Sequence, residues 1–516
     1  MSSASLYCNV FGGICKQDAA FSSKKITASD MQNVELYDTG INSGIGIRTA
    51  KGNTLICSLI PGNEKVVNMF ESVQNSKTYF FVHTESIVEG KIYLFIPNSN
   101  LLIPKVDGLS VTGKSSAVDF AQGWSDLFVF SNGEDLLTIE LDKYNDDGVL
   151  DEVVRITAKD RDGRDIKGLG VLNFNGRLWI YNKNVLWYSV QQNIYDFATA
   201  DAALVTSAGY IEFVKDITAI TVYVSSVAVF HSDSSCLVGY DSNGDFYVSE
   251  ECPGGCAGYN AFVFHGTELY FYDNNKKGIF SFNQSVLGNK TLGKNIALNI
   301  QKELFNMTSN TDEIKMISVI LADKNEFWFL IPTNDENYST ILVYDYVHQE
   351  WVKRVCPKIS CLQIVDNVLY SGDKNGKIYQ EYMGTDFHGI FVESFYNTSP
   401  LNFGLDTMLK ILFIPPKLGL DLSYTNDFYV EYIKNYDSLK KPKKRNIVAK
   451  TLKNALYWDK GFYDTYYYAP ENASCYYKLP SEIFRTLELH FYTFKEGQDF
   501  CIRNLEFTHI KLKPMY

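Results

Sequence analysis

The sequence predicts an all-β protein: a six- or seven-bladed β-propeller followed by a C-terminal β-sandwich-like domain. Three observations predict it. Between residues 117 and 382 one unit recurs six times: an apolar strand, a tight polar turn, an aromatic-rich strand, a second turn and a third strand. The chain carries 34 Phe and 35 Tyr, with aromatics at 15 %, and such residues suit pleated, half-buried surfaces. Its 35 Gly, with plentiful Asn and Asp, supply the turns that short strands need.

The clearest copies are Val171–Ser189, Ala261–Phe282 and Cys361–Tyr382, and looser ones are Val118–Leu141, Ala219–Asp241 and Met316–Tyr346. Aligned on the residue that opens the central strand, they fall at Leu127, Leu178, Val227, Leu269, Phe327 and Leu369, at steps of 42 to 58 residues. A strand-built period of that size is what a propeller blade produces. A hairpin at Thr78–Ile96 is a candidate for one more blade.

In chain order, residues 1–50 are Gly/Ser/Asn-rich with weak periodicity and read as an N-terminal arm or docking segment. Residues 51–382 read as the propeller, beginning with the alternating stretch Asn53–Ile96. Asp142–Asp165 is a charged excursion with one strand, Val153–Ala158, and a turn at Asp162-Gly163. Leu292–Met307 has apolar residues at helical spacing and is the best helix candidate. Residues 383–516 read as a β-sandwich assembly domain, with strands at Leu409–Ile414, Asp427–Ile433, Thr486–Phe494 and Ile502–Leu512 and a basic loop at Lys440–Arg445. At 516 residues the chain exceeds one compact core, which agrees with more than one domain.

The net charge is −12, from 60 acidic and 48 basic residues. A groove gripping phosphates wants the opposite balance, which argues against a dedicated nucleic-acid binder. An acidic wall does suit a conduit that repels a passing polyanion. The N-terminus has no basic start and no apolar run of signal-peptide length, and the apolar stretch Ile217–Phe230 alternates and holds serines, as strands do. The expectation is a protein made in a cytoplasm. Ten cysteines do not make a dense disulfide framework.

No constellation reads as catalytic, cofactor-binding or metal-binding. Asn145-Asp146-Asp147-Gly148 with Asp151 imitates part of a calcium loop, yet Lys143 falls at position one and Val154 at position twelve. Cys252, Cys256, Cys356 and Cys361 lack the two-residue spacing of a zinc knuckle. His83, His231, His265, His348, His388, His490 and His509 are scattered outside any ligand or nucleophile motif. The Glu250-Glu251 pair gives no geometry for glycoside chemistry.

Gly168–Ala198 has a particular shape. Asn175-Gly176 turns the chain, Arg177-Leu178-Trp179 opens a strand, Leu186-Trp187-Tyr188-Ser189 forms the next, and Tyr195-Asp196-Phe197 closes the unit. It resembles the corresponding blade of tail nozzle and head-to-tail hub proteins of short-tailed bacteriophages. Leu269-Tyr270-Phe271 with Gly278-Ile279-Phe280, Phe327–Ile331 with Leu342-Val343-Tyr344-Asp345 and Trp351, and Asn367–Tyr379 are similar to later blades of that family. Gln32-Asn33-Val34 and Gly44-Ile45-Gly46-Ile47-Arg48 stand where the family has an Asn and an Arg-Pro-Gly stretch, without the proline. The resemblance covers about residues 30–382, and the Asn/Lys/Tyr-rich usage is similar to that of crAss-like phages.

The resemblance implies a non-enzymatic virion protein without cofactor, assembled in the bacterial cytoplasm. It implies a ring, a hexamer in the family, below the portal or adaptor and in contact with tail fibres or other tail proteins. DNA would pass through the ring without specific binding. The alternative is a propeller glycan hydrolase or lyase, or a glycan-binding receptor protein, on the tail.

Overall fold

Asn175 and Gly176 both take left-handed φ, 54° and 65°, and fold the strand Leu169–Phe174 back onto Arg177–Asn182. Two consecutive positive φ values make the turn whose twist matches that of the flanking strands. Asn75-Ser76 and Asp366-Asn367 do the same in other hairpins. The computed structural model describes residues 3–15, 25–40, 44–57, 64–145, 148–200, 207–240, 246–282, 293–305, 313–321, 324–401, 408–412, 416–421, 424–425, 427–435, 443–447, 455–456, 467–468, 474–478 and 483–514.

The chain is all-β, and its middle is a succession of antiparallel meanders, most of them four-stranded. Blade 1 comprises Lys65–Gln74, Lys77–Glu85, Gly90–Ile96 and Leu101–Leu109, and blade 2 Ser116–Gln122, Ser125–Ser131, Leu136–Asn145 and Gly148–Arg155. Blade 3 comprises Leu169–Phe174, Arg177–Asn182, Val185–Tyr188 and Gly209–Glu212. Blade 4 comprises Ala219–Tyr223, Ser226–Phe230, Ser234–Tyr240 and Phe246–Val248, with Cys252–Pro253 added at one edge. Blade 5 shows Phe262–His265, Glu268–Asp273 and Gly278–Phe282, and blade 6 Lys315–Leu321, Lys324–Ile331, Tyr338–Asp345 and Glu350–Pro357. Blade 7 joins Ile359–Val365, Val368–Asp373 and Ile378–Glu381 to Asn53–Cys57 from far upstream.

Every aligned residue of the repeat lies in the second strand of a blade, and the Thr78–Ile96 hairpin is the centre of blade 1. First strands touch first strands: Lys65–Gln74 meets Ser116–Gln122 on one side and Ile359–Val365 on the other. Aromatic pairs weld successive blades, as in Phe81 on Phe128 (centroids 4.3 Å apart), Phe230 on Phe271 (5.3 Å), Tyr270 on Phe327 (5.3 Å) and Tyr370 on Phe80 (5.0 Å). The last of these joins blade 7 to blade 1, so the seven sheets close on themselves as a β-propeller.

The charged excursion holds its strand at Gly148–Arg155 instead of Val153–Ala158, and the expected helix is short. Of Leu292–Met307 only Leu298–Ile300 and Gln301–Phe305 are helical among the described residues. The stretch before them is drawn to the blade 5 edge, where Ser281 N–H donates to Lys294 O at 3.2 Å and Ile296 N–H to Ile279 O at 3.0 Å. That edge competes with the local helical period and wins.

Two further sheets are woven from both ends of the chain. Cys501–Pro514 pairs with Ser3–Cys8, Ile45–Thr49, Met408–Leu412 and Lys417–Asp421. The other sheet runs Phe11–Ile14, Ile26–Gln32, Phe395–Thr398, Leu487–Tyr492, Phe428–Lys434 and Lys443–Ile447. The first fifty residues thus contribute strands to the same two sheets as the C-terminal segment. Lys443–Arg445, expected in a loop, lies in the last strand of that order, with Arg445 opposite Val430. Lysine-rich edge strands are a common guard against unwanted pairing. The preceding residues 440–442 lie outside the described set.

These sheets sit against blade 6. Gly13 passes so close to its outer strand that an added Cβ would lie 2.2 Å from Trp351 O, which requires glycine. A buried ionic seam follows: Glu35 pairs with Arg48 at 2.8 Å and with Lys324. Burial pushes the Glu35 carboxyl up, but Lys324 and Arg48 outweigh it and hold the group below its ordinary value.

Candidate functional site

In a meander, first strands start, second strands end and third strands start at one end of the blade. The links into the first strands and the turns between second and third strands therefore gather at one mouth of the propeller. Two cavities lie there. One, of about 320 Å³, spans blades 1, 6 and 7 and is lined by Lys65, Lys114, Lys315, Lys358 and Lys374, with Glu313 as the lining carboxylate. The other, of about 330 Å³, spans blades 2 to 5 and includes Asn132, Tyr181, Asn182, Lys183, Thr218 and Tyr259, and shares Lys114 with the first.

Each lysine is placed by the fold. Lys65 and Lys315 open the first strands of blades 1 and 6, while Lys114 and Lys358 stand just before those of blades 2 and 7. Lys374 lies in the turn after Val368–Asp373 and is exposed. Lys315 is 6 % exposed. Its Nζ donates to the Tyr259 hydroxyl at 3.3 Å and stands 5.1 Å from that ring's centroid, which shields a buried ammonium. Lys358 Nζ donates to Asp335 O at 2.8 Å and Thr333 O at 3.3 Å. Burial, then the neighbouring Lys374, lowers its pKa. Glu85 sits behind the wall, 3.4 Å from Lys65 Nζ, and accepts the Thr112 and Gly113 amides at 2.9 and 2.8 Å.

Beneath these residues, His83 is fully buried and its pKa is pushed down to about 3, by burial first and then by Lys65 and Lys315. Its Nδ1 is 3.0 Å from Ser115 Oγ. A neutral imidazole in a positive field offers no general acid near neutral pH. The cavity presents point-charge donors: five ammonium groups converge on one concavity.

The residues weighed from sequence do not come together. Asp151 pairs with Lys105 and accepts the Asp142 amide at 3.2 Å, while 146–147 lie outside the described residues. Cys252, Cys256, Cys356 and Cys361 are buried, and burial raises the Cys256 and Cys361 thiols to about 12. His231 bonds to Asp216 O, His265 to Ser318 Oγ and His348 to Asp345. His388 is exposed beside Tyr379, and His490 lies 3.6 Å from Glu488. The side chain of His509 is outside the described set. Glu251 is occupied by Lys215 at 2.9 Å. Among the described residues no cluster of His, Cys, Asp and Glu is placed to hold a metal, and no helix is long and apolar enough to cross a membrane.

No family model and no curated protein matches the chain. Among solved structures, a streptogramin B lyase aligns with a TM-score of 0.37 at 11 % identity, over 67 % of this chain and 97 % of that one. A catalytically inactive virginiamycin B lyase from Staphylococcus aureus, solved with quinupristin, aligns with a TM-score of 0.38 at 11 % identity, over 63 % of this chain and 96 % of that one. Similarity at this level says nothing about activity. The propeller rests on the chain's own strand pairing.

The lysine cavity is the feature that reading the sequence missed. A signal was present: a lysine opens the first strand of blades 1, 2, 6 and 7 or stands within two residues before it. Aligning the repeats on their central strands hid it.

Proposed function

We propose that the chain is a structural protein of a bacteriophage tail, of nozzle, muzzle or hub type, that assembles as a ring below the portal or adaptor and forms a conduit for genome ejection. The observation that carries this reading is the use made of Gly168–Ala198, the segment that most resembles that family. Arg177 is 1 % exposed and donates to Ser189 O and Ser207 O, each at 2.7 Å. Trp179 is fully buried, with ring centroids 5.0 Å from those of both Tyr188 and Phe246. Residues committed to cross-strand bracing make a scaffold.

The physics of assembly supports the same reading. A stiff wedge repeated about an axis closes into a ring through head-to-tail contacts, and six copies are expected from the family. The woven sheets on blade 6 form an assembly domain, and the ring's partners are portal or adaptor proteins and tail fibres. The acidic excess of −12 lets DNA pass without being gripped. The test is electron microscopy of virions in which this chain carries a tag, together with particles reconstituted from the chain and its portal and adaptor. Rings labelled at the tail are expected. A monomer absent from virions, or release of sugars from host glycans by the purified chain, overturns the proposal.

A further inference from the structure

We infer that the cavity between blades 1, 6 and 7 is a binding site for a small polyphosphate-type anion, a ligand carrying two or more linked tetrahedral oxyanions. The inference is independent of the tail assignment. It starts from a charge anomaly: in a chain of net charge −12, five lysines and one glutamate line a single concavity. Like charges converging in a partly desolvated pocket repel one another, and water screens them less there than on an open surface. The fold nonetheless holds them together through independent means. Lys315 is anchored on Tyr259, Lys358 on two carbonyls and Lys65 beside Glu85.

The lining also indicates which anion. Among the described residues it contains no arginine, and so no planar fork of the kind that reads a carboxylate in two-pronged fashion. Ammonium groups arriving from separate blades suit oxygens that point in several directions, as those of linked phosphates do. The hydroxyls of Ser339 and Ser360 are already engaged, with Ile359 O and Gly372 O, so the positive charge of the lysines dominates what the cavity offers a ligand. A volume of about 320 Å³ sits at the lower end of small-ligand sites and fits a compact ion better than a polymer segment.

The experiment is isothermal titration of the full chain with inorganic pyrophosphate and tripolyphosphate at low and at physiological salt, with citrate as the carboxylate control. Lys374 is exposed in a turn, so Lys374→Ala and Lys374→Glu are the variants, their folding checked by melting, with Lys495→Ala on a remote exposed turn as control. Saturable binding is expected for the phosphates and weaker binding for citrate. Lys374→Ala lowers affinity by roughly tenfold, as loss of one charge-assisted contact does; Lys374→Glu lowers it further, and Lys495→Ala leaves it unchanged. The proposal is overturned by the absence of heat at millimolar pyrophosphate, by binding indifferent to Lys374→Glu, or by binding of a single-stranded oligonucleotide where pyrophosphate does not bind.

Discussion

Arg354 shows how much of this molecule is held by single side chains. It is 4 % exposed and donates to Lys51 O at 2.7 Å and to Glu381 at 2.9 Å, and it lies over the Trp328 ring at 5.0 Å. Glu381 in turn accepts from Asn53 and Ser371 at 3.0 and 2.6 Å, so one guanidinium ties blade 6, blade 7 and the incoming N-terminal segment. Removing one partner of a buried pair costs about 3–5 kcal/mol because the other charge stays behind. Arg354→Met is therefore expected to lower the unfolding free energy from denaturant titration by that order, and a loss below about 1 kcal/mol refutes the role. His348 makes a pH-dependent counterpart. Its Nδ1 lies 2.6 Å from Asp345 and its Nε2 3.3 Å from Asp38, on the strand Val34–Asp38. Asp345, then Asp38 against the cost of burial, raises its pKa. Since the folded value exceeds the unfolded one of about 6.5, the stabilisation is complete below the unfolded value and disappears as pH rises through the folded one. Melting of wild type against His348→Gln should show a gap at pH 5.5 that closes by pH 8.5; a gap constant with pH contradicts the assignment.

The blade is the element on which the rest is built, and closure of blade 7 is its weakest link, because its fourth strand comes from hundreds of residues upstream. Cys57 on that strand is 5 % exposed and packs with Val66, Cys361 and Ile378. Cys57→Asp puts an unpaired carboxylate there. Hydrogen exchange is expected to rise first at residues 53–57 and 378–381, and unaltered exchange in both segments would remove Asn53–Cys57 from the role of fastener. Blades were legible in the sequence wherever an Asn-Gly or Asp-Asn turn joined two apolar strands, as at Asn175-Gly176 and Asp366-Asn367. The outer strands of blades 3 and 4 were not. Gly209–Glu212 and Phe246–Val248 are short, with little buried apolar surface to imprint an alternation. The strands Phe11–Ile14 and Ile26–Gln32 were equally hidden, since their register is set by partners such as Phe395–Thr398. The lysine cavity left only a scattered trace at the starts of first strands, because its wall is assembled from residues as distant as 65 and 374.

At the scale of the whole molecule, two bodies of sheet share one apolar mass. A single core cluster contains Phe11, Met31 and Phe507 together with Phe271, Trp328 and Trp351 of blades 5 and 6, so propeller and woven sheets are expected to unfold together. A chain beginning at Lys51 lacks the five strands of residues 3–49 and leaves the edges of Phe395–Thr398 and Cys501–Pro514 unpaired. Open edges of that kind template aggregation. Such a truncation should be recovered mainly in the insoluble fraction, whereas a soluble, cooperatively melting product would mean that the propeller stands alone. The pairing of Ser3 with Lys511 and of Cys8 with Leu505 also constrains biosynthesis. Ser3–Cys8 leaves the ribosome with its partner still untranslated, and it has to wait until Cys501–Pro514 has been made. A prematurely terminated product therefore never completes that sheet, and unfinished copies are kept out of any assembly that recognises the finished surface.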